Sequence, residues 1–272
     1  MSAETPNEGD GQTMPLLAHL LELRRRVLYC AVGFLLAFII SFHYANVVYD
    51  FLARPLADAM QAKGHDNPRM IFTAVTEAFF TQLKLAMWVA LMATLPFTLL
   101  QIWKFIAPGL YSNEQKAFRP FLVATPVLFY VGAAFAYWVV FPMAWKFFLS
   151  YETIGTAMAG AMPIQLEAKV NEYLSIVTGL ILAFGFCFEL PVLLVLLHRV
   201  GLVQAKTLGD GRRYALVGIL IVAAIVTPPD ILSQLMLAIP MYILYEIAVW
   251  LCYWQEKTMR RADSALPMDA TP

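Results

Sequence analysis

The chain has 272 residues, 60% of them hydrophobic and 14% charged, which is too apolar for a soluble domain and long enough for several membrane spans. Nineteen Lys and Arg balance nineteen Asp and Glu, which argues against the basic footprint of a nucleic-acid binder. Cys30, Cys187 and Cys252 sit within apolar runs without ligand spacing, so no disulfide framework, metal centre or cofactor is expected.

In chain order, residues 1–14 read as a polar tail. The segment PLLAHLLELRRR at 15–26 places Leu16, Leu17, Leu20 and Leu21 on one helical stripe, with His19, Glu22 and Arg26 opposite; it reads as an interfacial lead-in helix. Spans follow at about 27–42, 78–102, 121–142, 173–197, 214–226 and 231–253, and a tail begins at 255. Six spans place both termini on one side. Thirteen of the nineteen basic residues fall on that side, five fall on the other, and Lys84 lies within a span. The positive-inside rule therefore puts both termini in the cytoplasm.

The two longer outer loops are more than linkers. Val47, Val48, Phe51, Leu52, Leu56 and Met60 recur at helical spacing around Pro55, which predicts a kinked amphipathic helix lying on the outer surface. A short helix is expected from about Glu167. Pro96, Pro126, Pro191 and Pro240 interrupt four spans near their middles, each removing a backbone hydrogen bond, so the bundle should be curved and concave. The fifth span has an apolar run of about 13 residues rising about 20 Å, against roughly 30 Å of hydrocarbon. Either the bilayer thins beside it or its neighbours bury it.

Between spans 2 and 3 lies WKFIAPGLYSNEQKAFR. Pro108 and Gly109 end one helix, while Ser112 followed by Gln115 reads as a capping box that opens the next. Glu114 then falls in a first helical turn, where it either complements the helix dipole or is available to a cation. Inside the spans, Lys84 and Glu246 are near enough to a boundary to snorkel. Glu189, in AFGFCFELPVLL, is not. Its carboxyl is expected to be neutral or paired, either with the Cys187 carbonyl that Pro191 leaves without a donor or with a partner helix. Asp230 can cap the sixth span, and Gln234 can bond another helix or the backbone. No Walker, HExxH or GxSxG motif occurs, and nothing pairs a nucleophile with a base, so an enzyme is not expected.

With HLLELRRR, WKFIAPGLYSNE, FGFCFELP and TPPDILSQ set in order on six spans, the chain from about Pro15 to Trp254 resembles the TatC family. The resemblance implies an all-α integral membrane protein, six transmembrane helices in a kinked, concave bundle with both termini cytoplasmic. It also implies a translocase core in the inner (plasma) membrane that receives folded cargo bearing a twin-arginine signal peptide. Such a protein works in a multimeric complex with TatA- and TatB-type single-span partners, driven by the protonmotive force. The family's signal-binding acids match Glu22 and Glu114, with Arg24, Phe105, Leu110 and Tyr111 in matching cytoplasmic positions. Pro55, Glu189, Asp230 and Gln234 match positions linked to activity. Beyond Glu114 the chain departs, carrying Gln115 and Lys116 where relatives can carry more arginine. The competing reading is a proton-coupled transporter of a small solute with Glu189 as its site, which requires opposing polar groups near the midplane.

Overall fold

The structure is a computed structural model that describes residues 16–65, 67–106, 112–153, 164–199, 201–226 and 231–264. The described chain is helical apart from loops and a single parallel bridge between Ile71 and Lys169. Lipid offers no hydrogen-bonding partners, so long apolar runs must satisfy their backbone internally, and a helix does so within one segment. The helices are α1 (Leu16–His43), α2 (Ala45–Ala62), α3 (Glu77–Ile106), α4 (Ser112–Phe135), α5 (Phe141–Leu149), α6 (Val170–Phe188), α7 (Leu190–Arg199), α8 (Ala205–Asp210), α9 (Arg212–Val226) and α10 (Ile231–Ser264). Five stretches are long and apolar enough to cross a membrane: Leu20–His43, Glu77–Ile102, Phe121–Leu149, Val170–Arg199 and Gln234–Thr258. The sixth crossing is α9, whose 15 residues rise only about 22 Å.

Several boundaries differ from the sequence expectation. The lead-in segment and first span form one uninterrupted helix, α1, because nothing between Arg26 and Val27 breaks it. The last helix runs on to Ser264, past the expected start of the tail. No separate helix starts at Glu167. Ile71 instead donates to the Ala168 carbonyl and Val170 donates to that of Ile71, both at 3.0 Å, which holds the segment extended until α6 begins. Nor does α2 simply lie on the surface. Its Leu52, Leu56 and Met60 are buried, and it packs against α5, while Val47 and Phe51 stay exposed.

The prolines act differently along the bundle. Pro55 removes the N–H that would serve the Phe51 carbonyl, and the Tyr137 hydroxyl donates to that oxygen at 2.8 Å. Tyr173 donates to the next carbonyl, Leu52, at 2.6 Å. Pro96 does the same to Met92, whose carbonyl receives the Tyr130 hydroxyl at 2.7 Å. Pro142, with no N–H for the Trp138 carbonyl, follows a π-helical segment, Ala136–Val140, that the sequence did not reveal. There the Phe141 N–H reaches back to Ala136, and the wider turn accommodates the proline ring. At Pro191 the fourth crossing breaks into α6 and α7 with Glu189 at the joint, its N–H donating to Phe186 at 3.1 Å.

The core lies where these crossings meet, around Phe129, Phe141, Phe184, Leu56 and Leu85. The α4 and α6 backbones approach closely because Gly132 and Gly185 face across the contact. A Cβ on Gly132 would lie 2.5 Å from the Phe184 carbonyl oxygen, and one on Gly185 would lie 2.5 Å from the Phe129 ring. At the end of the bundle opposite the termini, His65 and Glu152 form a buried pair, Nε2 to Oε2 at 3.1 Å, with side chains 7% and 3% exposed. The second Glu152 oxygen accepts the Leu166 N–H at 2.8 Å, so one carboxyl joins both loops.

Candidate functional site

Glu22 lies two turns into α1, a helix that packs mainly on α3 and buries little of its own surface. Four residues on, Arg26 donates through Nε (3.1 Å) and Nη2 to Glu22 Oε1, and through Nη1 to Gln101 Oε1 on α3 at 3.2 Å. The Glu22 and Arg26 side chains are 23% and 21% exposed, so the pair is partly shielded from water. An open cleft of about 590 Å³ adjoins them, lined by Leu21, Glu22, Arg25, Arg26, Tyr29 and Lys104. Arg25 donates to the Tyr29 hydroxyl at 2.7 Å and stacks over its ring. The cleft is thus one carboxylate within a ring of cations.

Of the expected site residues, Arg24 is exposed on α1 but, two residues from Glu22, faces another way and does not line the cleft, and Phe105 is half-buried in the last turn of α3. Glu114 stands in the first turn of α4, as the capping pattern predicts; its side chain, like Leu110, Tyr111 and Asp230, lies outside the described residues. Gln101 and Lys104 were missed. They are spaced to share one face at the end of an apolar run, which is the signal that could have singled them out.

Within the membrane, Glu189 stands at the joint between α6 and α7, and its buried Oε1 has no hydrogen-bond partner among the described residues. Gln234 donates to the Leu220 carbonyl at 3.0 Å and ties α10 to α9. Pro55 shapes α2 as described above. The other intramembrane charges are served: Lys84 donates to Asn171 at 3.4 Å, and Glu246 accepts Arg212 at 2.7 Å and Tyr242 at 3.0 Å. Among the described residues no cluster of His, Cys, Asp and Glu could hold a metal.

Fold and site together define a multi-pass membrane protein with a charged cleft at its terminal end and a lone carboxyl at mid-depth. Residues 18–240 match the family described as TatC, Sec-independent protein translocase protein. Curated proteins of that name include one from Magnetococcus marinus, 42% identical over 88% of this chain and 84% of its own length, and one from Escherichia coli K12, 42% identical over 88% of each. A relative from Rickettsia prowazekii is 40% identical over 92% of this chain and 97% of its own. A crystal structure described as the twin arginine translocase receptor TatC superposes with a TM-score of 0.69, at 35% identity over 87% of this chain and 98% of that one. The chain belongs to the TatC family and is a membrane component of a protein translocase, not an enzyme.

Proposed function

We propose that this chain is the signal-receiving core of a twin-arginine translocase in the inner (plasma) membrane, with both termini cytoplasmic. Glu22 and Glu114 together accept the two arginines of a signal peptide, and Arg24, Phe105, Leu110 and Tyr111 frame them. The observation behind this reading is that Glu22, at the rim of an open cleft, already grips a guanidinium through two nitrogens. A planar fork matches a carboxylate in a way that a lysine ammonium cannot. Two such contacts at about 1.5–3 kcal/mol each give roughly millimolar affinity. The rest comes from burying the signal's apolar stretch against the bundle.

Transport of the folded cargo then proceeds with TatA- and TatB-type single-span partners in a multimeric complex, driven by the protonmotive force. Glu189, whose Oε1 has no hydrogen-bond partner among the described residues, contacts a polar group on a partner's span. In this reading Pro55, Asp230 and Gln234 serve transport, and the short α9 sets the membrane depth. The test is binding of a synthetic signal peptide to the purified protein. Retention with paired arginines, loss with paired lysines, and loss in the Glu22→Gln/Glu114→Gln variant are expected. Normal binding by that double variant overturns the site.

A further inference from the structure

All three guanidinium nitrogens of Arg26 are engaged, two on Glu22 of α1 and one on Gln101 of α3. Gln101 is buried, so its side chain is a fixed anchor on the helix that α1 packs against. The i to i+4 spacing alone would make a weak, mobile pair on an exposed helix. The Gln101 carbonyl changes this. By accepting Nη1 it orients the guanidinium plane, so that Nε and Nη2 both bear on Glu22 Oε1, and less side-chain entropy is lost when that contact closes.

We infer that Arg26, seated by Gln101, is a built-in competitor for the arginine site: an intramolecular stand-in that occupies Glu22 until a peptide guanidinium displaces it. The inference rests on the proposed signal-binding role of Glu22 and adds a resting state to it. The ligand that displaces Arg26 must match what it displaces, a planar fork offering two N–H donors to one carboxylate. The stand-in also keeps the acid from being an unpaired charge in a half-buried cleft when no cargo is present. Its effect on binding is that of any competitor held at high local concentration. It lowers the apparent affinity by the fraction of time that Glu22 is occupied.

The experiment measures binding of a fluorescent peptide, two adjacent arginines followed by an apolar stretch, to the full-length purified protein in detergent. Arg26→Gln should tighten binding about three- to tenfold, less than a full charge-assisted contact is worth because the pair stays partly open to water. Arg26→Lys keeps the positive charge but not the fork and should tighten it about twofold. Gln101→Leu should tighten it in the native background and have no further effect in Arg26→Gln, because Gln101 acts only through Arg26. Unchanged or weaker binding in both Arg26 variants overturns the inference, as does a Gln101→Leu effect of equal size in both backgrounds. Failure of the site itself is distinguishable: in that case Glu22→Gln/Glu114→Gln would bind normally, whereas a failed competitor leaves that loss intact.

Discussion

The Tyr137 hydroxyl donates at 2.8 Å to the Phe51 carbonyl, the one that Pro55 leaves without a backbone donor, and the Phe51 and Tyr137 rings stack with centroids 4.4 Å apart. A proline bend would otherwise leave an orphan acceptor beside the core; here a residue from the third crossing fills it. Seven residues earlier on the same helical face, Tyr130 does this for Met92 below Pro96. Two tyrosines two turns apart thus bind two proline-bent helices to one crossing.

Tyr137→Phe keeps the stacked ring and removes only the donor, so it should lower stability by about 1–2 kcal/mol. Pro55→Ala supplies an N–H to the same carbonyl. In that background Tyr137→Phe should be nearly neutral, and thermal unfolding of the four proteins in detergent reads the coupling. Equal losses in both backgrounds would mean that the hydroxyl has no role at the bend.

Gly132→Ala places a methyl 2.5 Å from a backbone oxygen, which cannot rotate away. The α4 and α6 helices must separate, at about 1–3 kcal/mol. At Gly218, where nothing lies within 4 Å, the same change should be tolerated. A melting temperature for Gly132→Ala no lower than that of Gly218→Ala would contradict the close-packing account.

The proposed partner contact at Glu189, whose Oε1 has no hydrogen-bond partner among the described residues, carries a prediction of a different kind. Glutamine keeps a donor and an acceptor and should preserve most partner association. Alanine should weaken association by about 0.6–2 kcal/mol and leave signal-peptide binding intact. Photocrosslinks from position 189 that reach only this chain's helices, resting or cargo-bound, would remove the partner contact.

Inserting three leucines into α9 between Val217 and Val226 adds about 4.5 Å and brings it closer to the hydrocarbon thickness. If a thinned bilayer matters to transport, the variant should insert normally and export poorly. Export at the native rate would make the short span incidental.

The sequence by itself determined the number and order of the crossings, the shortness of α9, the helical start before Glu114 and a proline bend at Pro191. These follow from local causes: apolar runs long enough for lipid, proline's missing N–H, and charges that lipid disfavours. It could not determine which groups meet across helices. In a membrane protein both the lipid-facing and the core-facing sides are apolar, so periodicity does not fix each helix's rotation about its axis, and lateral partners stay open. Only the tertiary structure decided that Tyr137 meets Phe51, 86 residues away, and that Gln101 meets Arg26, 75 residues away. It likewise relieved the third crossing with a π turn at 136–140. In each case the cause is an unsatisfied polar group finding its partner on whichever neighbouring helix the packing brings within reach.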